Sequence, residues 1–258
     1  MEKEMRMPAI FAGHGSPMNA ILDNEYTKTW EKLGREIGKP KLILSVSAHW
    51  YTHGTLTSDL ENPKQIYDMY GFPEELYRLR YEAKGSKTLS GRIIDLLGEG
   101  VTIDNSWGID HGTWSVLCKM YPEADIPVVQ LSIDADSRPE RHYEIGRILS
   151  GLRDEGVMIF GSGNIVHNLG RIRWDMDGGE DWAVEFDGYI RDRILTRDHT
   201  KVVDYRSAGK SQELSFRTLE HYRPLLYVLG ASRDDDEISI FNESCTMGSI
   251  SMTGYMFR

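Results

Sequence analysis

Cysteine is nearly missing from this chain of 258 residues: only Cys118 and Cys245 occur, far apart and in no C-x-x-C pair. Neither a disulfide framework nor a thiolate zinc site is indicated, and both thiols read as buried and reduced. Long apolar runs are missing too. No stretch approaches the ~20 consecutive apolar residues of a membrane span. The opening Met-Glu-Lys-Glu-Met-Arg is too acidic for a secretory signal, so the expectation is a cytoplasmic protein with no membrane partner. Basic charge is scarce: 30 Lys and Arg stand against 40 Asp and Glu, a formal net charge of −10. That leaves little attraction for phosphate backbones, so nucleic acid is not expected as a partner. The P-loop and the G-x-G-x-x-G turn are absent, which removes support for nucleotide chemistry. So are G-x-S-x-G and H-E-x-x-H or its inverse. Gly161-Ser162-Gly163 and Gly15-Ser16-Pro17 read only as short glycine–serine turns.

What the chain does have is a recurrent β-then-α rhythm. Residues 8–12, 41–48, 101–104, 127–133 and 157–161 are rich in Ile, Val and Leu and read as strands. Between them, residues 26–37, 86–97, 138–155 and 182–195 carry apolar residues near i, i+3, i+4 and i+7, the spacing of an amphipathic helix. Strands without polar alternation are covered on both faces, the habit of parallel sheets. A helix near Pro224 to Leu229 follows, and the runs 238–242 and 248–257 can pair as an antiparallel hairpin on the sheet edge. No repeat or Gly/Ser/Pro linker divides the chain. The expected fold is therefore α/β, a single domain over 1–258 with a mostly parallel, mixed sheet flanked by helices. Residues 62–79, with Tyr67, Tyr70, Phe72 and Tyr77, have no clean period and read as an ordered loop near the ligand crevice.

Histidine carries the functional signal. His14 in PAIFAGHGSP and His49 in KLILSVSAHWYT each close an apolar strand, and ligands of open α/β sheets sit beyond the carboxyl ends of strands. If the two strands are neighbours, both imidazoles enter one crevice, and imidazole is the commonest metal ligand. His111 stands in a glycine-punctuated loop beside Asp110, a setting that can orient an imidazole for acid–base work or simply cap the next helix. His167 follows a buried strand that opens into Gly-Ser-Gly-Asn, where α/β sites are built. His221 lies three residues before Pro224, at the mouth of a helix. His53 is set aside, because an i, i+4 pair shares a face only on a helix. His142 and His199 read as solvated surface residues.

The segments GHGSPMN (13–19), SVSAHW (45–50), WGIDHGTW (107–114), PVVQLSID (127–134), SGNIVHNL (162–169), EHYRPLLYVLGA (220–231) and MGSISM (247–252) occur in that order along almost the whole chain. Together they resemble the class III extradiol ring-cleaving dioxygenases, in the 4,5-DOPA extradiol dioxygenase-like branch. The resemblance implies one mononuclear divalent metal bound by His14, His49 and His221, with His167 as a further ligand or a base and His111 in the acid–base set. It also implies a small aromatic diol and O₂ as substrates. The better-known members use a carboxylate as third ligand, whereas the matching residue here is His221, with Glu220 adjacent. Two histidines plus a carboxylate suit iron(II), while an all-imidazole set also suits zinc, which has no redox chemistry. The leading expectation is an iron(II) enzyme that opens a catechol ring beside the diol, with Trp50, Tyr70 and Trp107 as ring contacts. The rivals are a zinc hydrolase and a catalytically silent metal-binding protein on the same fold.

Overall fold

In the computed structural model, which describes residues 6–258, six strands form the central sheet. They are β1 (Ala9–Gly13), β2 (Leu42–Ser47), β3 (Val128–Gln130), β4 (Val157–Gly163), β5 (Ile238–Phe241) and β6 (Gly254–Phe257). Their order across the sheet is β3-β2-β4-β1-β6-β5. β2 runs parallel to β3 and β4, and β4 parallel to β1; β6 and β5 complete one side in antiparallel fashion. The α/β class, the mixed sheet and the C-terminal edge pairing follow the sequence reading.

The apolar runs are explained by what covers each face. Among the described residues, the longer helices are α1 (Glu25–Ile37), α2 (Lys87–Leu97), α3 (His111–Met120), α4 (Pro139–Leu149), α5 (Asp181–Leu195) and α6 (Arg223–Ala231). Ile10, Ala12, Ile43, Met158 and Phe160 pack with Trp30 and Leu33 of α1 and Trp114 and Leu117 of α3. Their strand neighbours Ala9, Phe11, Leu44, Val157 and Ile159 pack on the other side with residues of α2, α4, α5 and α6. Successive strand residues point to opposite faces, so two covered faces demand an unbroken hydrophobic run. All nine residues of α6 are buried, as befits a helix enclosed between the sheet and α4. No helix among the described residues is long and apolar enough to cross a membrane.

Three elements depart from expectation. Residues 101–104 form only the two-residue strand Thr102–Ile103, exposed and paired with Leu56–Thr57 outside the main sheet, because little apolar surface is there to bury. Residues 127–133 split: after β3, Ile133–Asp134 pairs instead with Tyr51–Thr52. Gly161-Ser162-Gly163 is the last part of β4 and not a turn.

Candidate metal centre

His14 and His49 do reach one crevice, but β1 and β2 are not neighbours; β4 lies between them. That middle strand ties the two ends together, since His14 N donates to Gly163 O (3.1 Å) and Ala48 N to Ser162 O (2.9 Å). The third imidazole arrives from the other direction. His221 immediately precedes Tyr222, the cap of α6, and its carbonyl accepts from Asn164 N at 2.9 Å. A Cβ on Gly163 would stand 2.1 Å from that carbonyl oxygen, so only glycine lets the end of α6 come this close. The ring centroids of His14, His49 and His221 then form a near-equilateral triangle with sides of 5.1, 5.3 and 5.2 Å.

The outer nitrogen of each ring is tethered, and the tethers fix the tautomers. His14 Nδ1 lies 3.0 Å from Ser162 Oγ, whose hydroxyl proton is donated to Gly112 O. The serine oxygen must therefore accept from His14 Nδ1–H, leaving the Nε2 lone pair free. His49 Nδ1 stands 3.1 Å from Asp68 Oδ2, and His221 Nδ1 3.3 Å from Glu220 Oε1. Carboxylate oxygens accept there, so these two rings also turn Nδ1–H outward, which leaves Nε2 as the nitrogen that can coordinate once it is unprotonated. His14 Nε2 and His49 Nε2 are 3.3 Å apart. Two metal–imidazole bonds of about 2.1 Å would span that gap at roughly 100°, between the octahedral and tetrahedral values. One ligand atom from each of the three histidines falls within 4.8 Å of the others. The residues fit a divalent metal ion.

Electrostatics favour the coordinating form at two of the three rings. Burial, reinforced by the neighbouring imidazoles, holds His14 and His221 well below the usual histidine range, so both are neutral and able to coordinate. Burial also opposes charge on His49, but Asp68, Asp110 and Glu220 outweigh it and raise its pKa. Asp68 is itself desolvated, yet His111 and His49 keep it ionised well below the ordinary carboxylate range.

His111 is the first residue of α3, which corrects the reading of its surroundings as a loop. Asp110 does not orient it. That carboxylate caps the helix by accepting from Thr113 N, and it also accepts from Ser47 Oγ (2.6 Å), Gln130 Nε2 (2.8 Å) and Trp107 Nε1 (3.2 Å). The carboxylate at the His111 ring is Asp68, from the 62–79 loop: Oδ1 is 2.9 Å from Nδ1 and accepts from His111 N at 3.0 Å. His111 packs on His49 with centroids 3.8 Å apart; burial and the charge on His49 lower its pKa. Gly112 makes this close, tilted approach possible, because a Cβ there would meet His49 Cδ2 at 2.7 Å. His167 lies flat against His221, centroids 3.4 Å apart and planes within 8°, and burial lowers its pKa to about 4. It groups with Glu220 and His221, outside the triangle.

The remaining residues are scattered. Trp50 is 3% exposed and lines an interior gap with Ile109, Val128 and Gln130. Trp107 is held by Asp110, and Tyr70, two residues from Asp68, is 91% exposed. His53 is on the surface beside Asp136. His142 is not solvated: it is fully buried on α4 with Nδ1 3.0 Å from Tyr227 Oη. His199 is half-buried, 3.2 Å from Tyr143 Oη. Asp68 and Ser162 carry no role in the sequence reading: Asp68 sits in no motif, and Ser162, although it opens the SGNIVHNL segment, reads there only as part of a glycine–serine turn.

A triangle of imidazoles beyond the carboxyl ends of a doubly covered sheet is the arrangement of a metal centre in an α/β protein. Residues 7–258 match the family described as the catalytic LigB subunit of aromatic ring-opening dioxygenase, and the chain belongs to that family. A relative from Escherichia coli (strain K12), named 4,5-DOPA dioxygenase extradiol, is 47% identical over 253 residues, 96% of this chain and 93% of its own. A protein of the same name from Beta vulgaris is 37% identical over 255 residues, 96% and 95% of the two chains. The crystal structure of an uncharacterized Escherichia coli K12 protein superposes with a TM-score of 0.86 at 44% identity, covering 98% of this chain and 100% of that one. The chain is an extradiol ring-opening dioxygenase that uses a metal, an aromatic substrate and O₂. The hydrolase and silent-scaffold alternatives give way to it.

Proposed function

We propose that this enzyme opens the ring of a DOPA-like catechol beside its diol, with iron(II) held by His14, His49 and His221. The observation that supports the reading is the set of three imidazoles whose Nδ1 atoms are engaged outward, so that Nε2 of each is the nitrogen left to coordinate an ion between them. Bound there, iron(II) supplies the electron exchange between catechol and O₂ that zinc lacks. The protein's own part is proton handling. His167, neutral and buried beside the triangle, takes a proton from a catechol hydroxyl as the diol approaches. His111, anchored at the start of α3, holds or returns a proton on the oxygen-derived side. Trp107 and Tyr70 are proposed to meet the ring's outer edge, and Trp50 to back the pocket wall from the core. A DOPA-like substrate is favoured by the names of the two relatives.

The test is metal exchange. Metal-free protein reloaded with iron(II) under argon should, once air is admitted, consume O₂ only when DOPA or a simpler catechol is present, and a yellow ring-opened product should appear. Zinc-loaded protein should do neither. His14→Ala and His49→Ala should lose most bound metal in elemental analysis, while His53→Ala, a surface change, should keep it. Equal turnover by the zinc form, or full metal in both crevice variants, would overturn the assignment.

A further inference from the structure

Asp68 is placed so that one carboxylate touches two histidines of different function. Its Oδ2 lies 3.1 Å from His49 Nδ1, while Oδ1 lies 2.9 Å from His111 Nδ1 and accepts the His111 backbone N–H at 3.0 Å. The side chain is 14% exposed, so water does little to loosen these contacts. The segment that carries it is pinned on both sides: Ile66 N donates to Ile109 O, Trp114 Nε1 donates to Ile66 O, and Tyr67 Oη donates to Leu79 O. Two of those anchors belong to α3 and to the turn before it, so the loop is tied directly to the helix that carries His111. The His111 amide is the first of α3, where a negative charge is favoured by the helix dipole.

We propose that Asp68 is the positioning residue that couples metal binding to proton transfer, setting the tautomer and direction of His49 with one oxygen and the orientation of His111 with the other. The proposal rests on His49 being a ligand and His111 an acid–base group. Asp68 touches neither metal nor substrate in this scheme; it acts through the two imidazoles. Asparagine is the same size but would turn either an amide N–H toward a ring N–H or a weaker acceptor toward both. Outer contacts of metal-binding histidines are typically worth 10–100-fold in metal affinity or activity.

The experiment is a double-mutant cycle read in two ways, on iron-loaded and metal-free full-length protein whose folding is checked by circular dichroism. Asp68→Asn should weaken iron(II) or cobalt(II) binding about 10–100-fold in chelator competition. At saturating iron it should lower kcat with little change in KM for catechol. In a His111→Phe background, Asp68→Asn should still weaken metal binding yet add little further loss of kcat, because the group through which it acts is gone. Asp68→Glu should restore part of the metal affinity. Unchanged metal affinity in Asp68→Asn, or full additivity of the two kcat losses, would overturn the coupling. Full metal retention by His49→Ala would instead remove the ligand reading beneath it, and the proposal with it.

Discussion

Ser162 does for His14 what carboxylates do for His49 and His221, with a neutral hydroxyl that has only one proton to place. Ser162→Ala would leave His14 Nδ1 and Gly112 O without their partner. We expect a stability loss of about 1–3 kcal/mol and metal affinity about 10–100-fold weaker, measured by urea unfolding of the metal-free form and by chelator competition. His111→Phe should behave differently: metal retained, ring-opening rate down roughly 10²–10⁴-fold, and wild-type turnover from that variant would remove the acid–base role. Single residues were unevenly legible. His14 and His49 announce themselves by ending apolar runs. His142 was misjudged because its neighbours Arg138, Glu140 and Arg141 are polar, yet counting i+3, i+4 and i+7 from it lands on Ile145, Gly146 and Leu149, all buried with it on one face of α4. Asp68 offered no such clue, since its partners lie far away in sequence and only folding brings them near.

At the scale of elements, the centre depends on how closely α6 approaches the end of β4. Gly163→Ala would drive a methyl against the His221 carbonyl, which backbone cannot yield cheaply. The expected result is a folded sheet with a displaced α6: lower thermal stability, lost metal, and protease cleavage near 220–223, with wild-type metal content as the contrary outcome. The helix starts also matter. Asp110, buried and accepting four hydrogen bonds, sets where α3 begins and so where His111 stands. Periodicity revealed β1, β2, β4 and most helices, because a covered strand or an amphipathic helix writes its burial into a short window. Strand order is not written there. The insertion of β4 between β1 and β2 follows from long-range pairing, and the GSG segment looked like a turn because glycine in a strand is uncommon unless another backbone comes close.

For the whole molecule, two buried titratable groups away from the centre pull the pH dependence of stability in opposite directions. His142 is lowered to about 4, by burial and then by Arg223. Its folded form takes up a proton less readily than the unfolded chain, so its stabilisation is complete above about pH 6.5 and is lost as pH falls toward 4. Asp187 is raised to about 6 by burial, against hydrogen bonds from Ser251 and Thr253. Its contribution is greatest below about pH 4 and falls as pH rises through 6. Each effect is on the order of 3 kcal/mol. The unfolding free energy of Asp187→Asn minus that of wild type should therefore grow between pH 4 and pH 7, and the same difference for His142→Gln should shrink, in urea titrations of metal-free protein. Differences that stay constant with pH would show that neither group titrates as placed.

The three proposed ligands come from positions 14, 49 and 221, so no short stretch of an unfolded chain holds them together. Metal then discriminates between folded and unfolded states almost completely, and at 100 times its dissociation constant it should add about 2.7 kcal/mol to the unfolding free energy. A chelator is thus a mild denaturant for this protein. Loss of the metal would then take away folded stability together with the ring-opening chemistry, and the two losses should follow the same metal-binding curve.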